Sequence, residues 1–188
     1  MNFNRPLTLA SNSPRRQQLL KEAGFKFIVR TAPIDEEYPD DIHYKDVAEY
    51  LARKKADAIP FQLDNEVIIT SDTVVVLHGT ILGKPKDKSH AVQMLSQLSG
   101  QTHDVITGVC LKSENKTITF SDTTNVTFNM LTSEEINFYI DNYKPFDKAG
   151  GYGIQEWLGM ISINKIEGSY FTVMGLPIHR VYEVLKDF

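Results

Sequence analysis

The sequence has one cysteine among its 188 residues, at position 110. A single thiol cannot form a disulfide within the chain, and a cysteine-based zinc site is excluded in practice. The chain also has no apolar run of 18 residues, which a membrane-spanning helix needs, and its first residues lack the apolar segment of a secretory signal. We therefore expect a cytoplasmic protein that has no membrane partner.

Basic residues are also fewer than acidic residues. Lys and Arg number 20 against 24 Asp and Glu, which gives a formal net charge of -4. Proteins that bind nucleic acid through its phosphates usually have the opposite balance, so we expect no nucleic-acid partner. The content of hydrophobic residues, 41%, is ordinary for a globular protein, and no repeat or Gly/Ser linker divides the chain. The length then predicts a single domain over residues 1–188.

Hydrophobic periodicity predicts alternating strands and helices. The clearest strand, Val67–Leu77, is rich in Val, Ile and Thr. The other predicted strands are residues 7–10, 25–29, 81–82, 102–111, 118–130 and 161–166. The predicted helices are residues 15–23, a helix opening at Asp46, a helix capped by Asp87 and running through Leu98, a helix from the capping box of Thr132 and Glu135 to about Tyr143, and residues 177–185. Because some long strands follow each other directly, we expect an α/β fold with a mixed, twisted sheet flanked by helices.

A first candidate site lies where the first strand meets the first helix. Ser13 and Pro14 suit the N-cap and first helical positions, and Arg15 and Arg16 follow in the first turn. Two cations there are repelled by the positive end of the helix dipole, and an anion bound at the helix start would offset this repulsion. A plain cap followed by two solvated arginines explains the pattern equally well.

A second candidate is Asp72, which stands inside the apolar strand Val67–Leu77. A buried carboxylate requires a cation, a metal or several hydrogen-bond donors. We interpret Asp72 as functional. The alternative is that residues 71–73 form a bulge or turn between two strands.

Lys55 is a third candidate, because it falls on the same helical stripe as Val47, Leu51 and Ala58. A lysine on a core-facing stripe either extends its ammonium along the core to solvent or points it into a polar cleft. The helical spacing favours neither possibility.

The remaining candidates lie in loops. Glu36 belongs to an acidic loop without His or Cys, which suits a hard cation such as Mg²⁺, although such loops are usually just solvated. Lys84 lies between a glycine and a proline, and Lys148 directly precedes the glycine-rich segment 149–153, which has neither Walker nor GxGxxG spacing. The five histidines show no metal-ligand spacing, and we assign them no role. Cations and carboxylates together suit a polyphosphate and a divalent metal in a locally cationic pocket.

The same segments resemble the Maf family of nucleoside triphosphate pyrophosphatases over nearly the whole chain. The matching blocks are residues 9–16, 34–36, 51–56, 71–75, 83–85, 98–103, 147–155, 168–170 and 175–177. The resemblance implies cleavage of a nucleoside triphosphate to the monophosphate and pyrophosphate with a divalent metal such as Mg²⁺, Mn²⁺ or Co²⁺. It also implies a homodimer and a fold related to inosine triphosphate pyrophosphatases, with two lobes around a central cleft.

The resemblance also implies roles for single residues. Asp72 matches the proton acceptor, and we expect Lys55 and Lys84 to act with it in catalysis. Glu36 and Asp72 are the expected metal ligands. The expected substrate-binding residues are Ser11, Arg15, Arg16, Thr73, Lys148 and Gln155.

Three segments favour the branch of the family that prefers dTTP and UTP over the branch that prefers 7-methyl-GTP. They are residues 13–16, 72–73 and 153–155. The amide of Gln155 has both a donor and an acceptor, which suits a pyrimidine carbonyl and imino N–H. The alternatives are a 7-methyl-GTP pyrophosphatase and a non-catalytic nucleotide-binding regulator of cell division.

Overall fold

The computed structural model describes residues 3–188. Its strands are β1 (Leu7–Leu9), β2 (Ile28–Val29), β3 (Val67–Leu77), β4 (Thr80–Leu82), β5 (Thr102–Lys112), β6 (Thr117–Phe128) and β7 (Ile163–Glu167). Its α-helices are α1 (Pro14–Glu22), α2 (Val47–Asp57), α3 (Lys88–Leu98), α4 (Ser133–Tyr143), α5 (Trp157–Ser162), α6 (Tyr170–Val173) and α7 (Ile178–Lys186). None of the helices within residues 3–188 has the length and apolar character needed to cross a membrane.

The strands form one mixed sheet in the order β2-β1-β3-β5-β6-β7, with β4 paired to β3 outside this path. β1 runs parallel to β2 and β3, whereas β3 with β4 and β6 with β7 are antiparallel pairs. The expected mixed sheet flanked by helices is therefore confirmed.

Two predicted helix starts are confirmed in detail. The side chain of Asp87 accepts a hydrogen bond from the backbone N–H of His90 at 2.8 Å. Thr132 and Glu135 form the reciprocal capping box at the start of α4. By contrast, Ser13 stands at the N-cap of α1 without a side-chain capping bond, and its own N–H donates to Ser11 Oγ at 3.2 Å.

Two predicted strands are wrong in part. The strand expected over residues 161–166 begins only at Ile163, because helix α5 occupies Trp157–Ser162. A helix of six residues is too short to show a helical period in the sequence. The strand expected over residues 25–29 is paired only at Ile28–Val29. The other predicted elements agree with the structure within two residues at each end.

The described residues divide into two compact units. Unit 1 consists of the described residues up to Asp72 together with Thr107–Asp122 and Gly175–Phe188. Unit 2 consists of Thr73–Ile106 and Thr123–Met174. Strands β3, β5 and β6 each contribute residues to both units.

In unit 1, helix α2 approaches strand β5 unusually closely. A Cβ at Gly108 would lie 2.2 Å from the carbonyl carbon and oxygen of Ala48, so only glycine fits this position. Ala52, Ala56 and Cys110 form a fully buried cluster of small side chains beside it. Burial raises the pKa of the Cys110 thiol to about 11, so the thiol remains protonated at neutral pH and acts as a packing group.

We predict that Gly108→Ala lowers the free energy of unfolding by about 1–3 kcal/mol, because the added methyl group forces α2 away from β5. Urea denaturation measures the loss. Gly83→Ala is the matched control, since a Cβ at Gly83 has no neighbour within 4 Å. Equal stability of the two variants would contradict the close approach.

In unit 2, a histidine is buried among aromatic rings. His103 is 1% exposed, its Nε2 lies 2.7 Å from the hydroxyl of Tyr152, and its ring contacts Phe128 edge-on. Its Nδ1 has no hydrogen-bond partner among residues 3–188. Burial lowers the pKa of His103 to about 4, so the imidazole is neutral at pH 7.

This burial predicts a loss of stability in acid. Between the ordinary pKa of 6.5 and the folded pKa of about 4, the unfolded chain binds a proton that the folded chain does not. His103 therefore stabilises the fold above pH 6.5, and that contribution falls by up to about 1.4 kcal/mol per pH unit as the pH drops through this window. Urea denaturation from pH 7 to pH 4 should show a shallower decline for His103→Gln than for the parent. The control is His179→Gln, at an exposed position, which should retain the parent slope.

Candidate active site

Asp72 lies within an uninterrupted strand. β3 runs from Val67 to Leu77 without a break, so residues 71–73 form neither a bulge nor a turn. The residues on both sides of this strand are almost all buried, and the Asp72 side chain is 12% exposed. Its charge therefore has little access to water and requires a partner within the protein.

Lys55 of α2 supplies that partner. Its Nζ lies 2.5 Å from Asp72 Oδ1 and 2.9 Å from Glu36 Oε1, and its side chain is 17% exposed. Of the two possibilities left open by the helical spacing, the ammonium thus takes the polar one. One cation joins two carboxylates that are 36 residues apart in the chain.

Arg16 fixes the backbone next to Asp72. Its Nε–H donates to the carbonyl of Gly175 and its Nη1–H to the carbonyl of Ser71, each at 2.8 Å. The Ser71 hydroxyl donates to the same Gly175 carbonyl at 2.8 Å, and Ser11 Oγ lies 3.5 Å from Arg16 Nη1. The Arg16 fork therefore ties the start of α1 to β3 and to the turn at residue 175.

The two neighbouring arginines differ in their surroundings. Burial lowers the pKa of the Arg16 guanidinium, and the negative charges of Asp72 and Glu36 partly offset this effect. Arg15 is partly exposed, whereas donors of Arg16 are used on two backbone carbonyls. Arg15 is thus the arginine of this turn whose donors are available to an anion.

In unit 2, the two lysine-bearing loops lie side by side. The backbone N–H of Gly150 donates to the carbonyl of Gly83 at 3.0 Å, which joins the loop of Lys84 to the glycine-rich loop. Gly150 has φ of +68°, and a Cβ there would lie 3.0 Å from Val75. The tight packing and the left-handed backbone both require glycine at this position.

Lys148 lies between two carboxylates. Its Nζ is 2.8 Å from Asp147 Oδ1 and 3.2 Å from Glu156 Oε1, and the residue is 7% exposed. The hydroxyl of Tyr139 donates to Glu156 Oε2 and accepts the N–H of Gly153 at 3.0 Å. The sequence analysis missed both Tyr139 and Glu156, since a tyrosine on a helix and a glutamate after a loop carry no distinguishing pattern.

The structure brings most of the predicted residues into two groups. In unit 1, Lys55 pairs with Glu36 and Asp72, and Arg16, which follows Arg15 in the chain, contacts Ser11 and the carbonyl of the residue before Asp72. In unit 2, hydrogen bonds connect the segments of Lys84 and Lys148 and the turn of Gln155, whose side chain is exposed. Thr73 directly follows Asp72 on β3 and is half-buried.

Two carboxylates could hold a metal in unit 1. Glu36 and Asp72 approach the same ammonium and are therefore close to a common point. Within residues 3–188 no three His, Cys, Asp or Glu side chains form a group that could hold a metal ion. A metal held there would need further ligands from water or from a bound phosphate.

Comparison with known families decides the assignment. Residues 6–188 match the family model described as "Maf-like protein". The chain belongs to the Maf family. Among its relatives, the dTTP/UTP pyrophosphatase of Flavobacterium psychrophilum is 51% identical over 185 residues, which cover 98% of this chain and 95% of that protein. The dTTP/UTP pyrophosphatase of Phocaeicola vulgatus is 52% identical over 182 residues, which cover 96% and 94%.

Another relative, the dTTP/UTP pyrophosphatase of Porphyromonas gingivalis strain W83, is 48% identical over 97% of this Maf chain and 94% of its own length. The solved structure of the Staphylococcus aureus Ham1 protein matches with a TM-score of 0.46 and 14% identity, over 66% of this chain and 72% of that one.

The ion pair of Lys55 and Asp72 predicts strong coupling between the two residues. We expect Lys55→Met to destabilise the fold, because it leaves Asp72 and Glu36 without their shared cation, and Asp72→Asn to restore part of that loss. In a double-mutant cycle measured by urea denaturation, the coupling energy should be about 1–3 kcal/mol. The pair of Lys88 and Asp141, with about half of each side chain exposed, is the control and should show no measurable coupling. Additive effects of Lys55→Met and Asp72→Asn would contradict the assigned pair.

Proposed function

We propose that this Maf protein hydrolyses dTTP, UTP and modified pyrimidine triphosphates to the monophosphate and pyrophosphate. The observation that carries the proposal is the Asp72 carboxylate, which is held inside β3 by the ammonium of Lys55 with Glu36 beside it. Relatives named dTTP/UTP pyrophosphatase, about half identical over nearly their full length, support the substrate.

Asp72 is the proposed proton acceptor. A water molecule attacks the α-phosphorus, the new P–O bond forms, and the bond from the α-phosphorus to the bridging oxygen of the β-phosphate breaks. Asp72 takes the proton from that water, and pyrophosphate leaves with the bond electrons. A carboxylate held at a fixed position by one ammonium is well placed for this role, because general-base catalysis depends on position before it depends on basicity.

Cationic side chains stabilise the charge that develops on the phosphates. We assign this role to Lys55, Lys84 and Arg15, with Lys148 and Ser11 as further phosphate ligands. Arg15 is assigned to the phosphates because it is partly exposed, whereas its neighbour Arg16 uses its donors on backbone carbonyls. Arg16 is an expected substrate-binding residue. Because it donates to two backbone carbonyls, we propose that it positions Ser71 and Asp72.

Glu36 and Asp72 would hold the divalent metal. Their oxygen donors fit Mg²⁺, which proteins commonly bind through one or two carboxylates together with substrate phosphates and water. When bound, such a metal neutralises phosphate charge and polarises the reacting P–O bonds. Mn²⁺ and Co²⁺ accept the same ligand set and belong to the proposal as substitutes.

Gln155 is proposed to recognise the pyrimidine, with Thr73 and Arg15 as the other residues of substrate choice. The exposed amide of Gln155 can donate to a base carbonyl and accept from the imino N–H.

The proposal also includes a homodimer, which can be tested by light scattering. It further includes a cytoplasmic location, where nucleoside triphosphates are available.

A nucleotide panel tests the proposed function. The purified chain is assayed for pyrophosphate release from dTTP, UTP, dCTP, dGTP and 7-methyl-GTP with Mg²⁺, Mn²⁺ or Co²⁺, and with a chelator. We expect kcat/KM for dTTP and UTP to exceed that for dGTP and 7-methyl-GTP by at least about tenfold, equivalent to about 1.4 kcal/mol. Asp72→Asn should lower kcat by about 10²–10⁴-fold.

Asp64→Asn is the matched control, since it makes the same change in an exposed loop and should retain the parent rate. A parent rate in Asp72→Asn would overturn the base assignment. Preference for 7-methyl-GTP would favour that alternative substrate, and tight dTTP binding without turnover would favour a regulatory protein.

A further inference from the structure

We propose that Tyr139 and Glu156 set the nucleobase preference by positioning the turn that carries Gln155. This inference rests on the proposed function and adds two residues that themselves do not touch the base. The geometry that carries it is a single buried hydroxyl that binds both ends of this turn.

Tyr139 lies on α4 and is fully buried. Its hydroxyl accepts the backbone N–H of Gly153 at 3.0 Å and donates to Glu156 Oε2. Gly153 and Glu156 directly flank Ile154 and Gln155 in the chain. One side chain from another element therefore fixes both ends of the segment that presents the amide.

The turn itself is closed by its backbone. The N–H of Glu156 donates to the carbonyl of Gly153 at 3.0 Å, and the carbonyl of Glu156 accepts the N–H of Met160 at the start of α5. A Cβ at Gly153 would lie 2.8 Å from the Glu156 carboxyl carbon, so glycine allows the carboxylate to fold back over the turn. Ile154 is buried, whereas Gln155 is exposed. A turn fixed in this way holds the Gln155 backbone in one place while its side chain faces solvent.

Glu156 also links base recognition to phosphate binding. Its second oxygen, Oε1, lies 3.2 Å from the Nζ of Lys148, while Oε2 accepts from Tyr139. The two functions of this carboxylate can be separated chemically. An amide at position 156 can still accept from Tyr139 but loses the charge that pairs with Lys148.

Tyr139 acts through Gln155, because a fully buried side chain has no access to the nucleotide. Burial also raises the pKa of Tyr139, which keeps its hydroxyl protonated and able to donate. Tyr139 is therefore a positioning residue, and its effect should appear in selectivity, a property that a loss of stability alone does not change.

The test compares two tyrosines on the same helix. For each variant, the ratio of kcat/KM for dTTP to kcat/KM for dGTP is measured with Mg²⁺ at a temperature well below the melting point. Tyr139→Phe should lower this ratio about tenfold, mainly through a higher KM for dTTP. Tyr143→Phe is the matched control, since it removes the same hydroxyl from a more exposed ring that stacks on Tyr139 at 5.1 Å. It should leave the ratio at the parent value.

A double-mutant cycle tests the route of the effect. Gln155→Ala should lower the ratio by itself, and adding Tyr139→Phe to it should lower the ratio no further. An unchanged ratio in Tyr139→Phe, or fully additive effects of the two substitutions, would overturn the inference.

Position 156 keeps the inference testable if Tyr139→Phe does not fold. Glu156→Ala removes the acceptor and should lower the ratio. Glu156→Gln should restore the ratio and raise KM for every triphosphate, because Lys148 keeps Asp147 but loses one of the two carboxylates that fix its position. A parent ratio in folded Glu156→Ala would overturn the inference. A parent chain that fails to prefer dTTP over dGTP would instead overturn the proposed function, so the two failures are distinguishable.

Discussion

The ammonium of Lys55 neutralises the carboxylate of Asp72, which β3 places among buried residues. Other contacts of unit 1 hold these two side chains in position. An unpaired carboxylate in such a position would cost several kcal/mol. Lys55 reaches Asp72 from α2, and the distance of α2 from β5 is set by the missing side chain of Gly108. Arg16 fixes the other side of the pair through the carbonyl of Ser71. Helix packing and ion pairing thus together determine the position of the Asp72 carboxylate.

Unit 2 repeats the same electrostatic arrangement with different elements. Lys148 lies between Asp147 and Glu156 as Lys55 lies between two carboxylates in unit 1. The sequence had suggested a local excess of positive charge, yet each of these lysines has two acidic neighbours. Such pairs keep the lysines ordered before any anion binds. In the function we propose, the charge of the triphosphate is therefore met by additional cations, for which we propose Arg15 and a divalent metal.

The sequence allowed prediction of features in which a charged residue stands among apolar neighbours. Asp72 in an apolar strand and Lys55 on a core-facing helical stripe are two such residues, and in the structure they form an ion pair with each other. Other features have no such signal. Glu66 follows other polar residues, so it looks like part of a solvated loop, but it is fully buried and paired with Arg30. Tyr139 occupies an ordinary core position of a helix, and its hydroxyl acquires its partners only through the tertiary fold. Helix α5 is too short to produce a readable period.

The carbonyl of Gly175 receives hydrogen bonds from Arg16 and from the Ser71 hydroxyl. Residues 16 and 71 are synthesised long before residue 175, whereas both segments of unit 2 precede Gly175 in the chain. During synthesis, unit 1 therefore depends on a segment that is translated after all of unit 2, and until then the donors of Arg16 and Ser71 lack this acceptor. Because synthesis proceeds from the N-terminus, the backbone beside Asp72 reaches its final order late, although its own residues are made early.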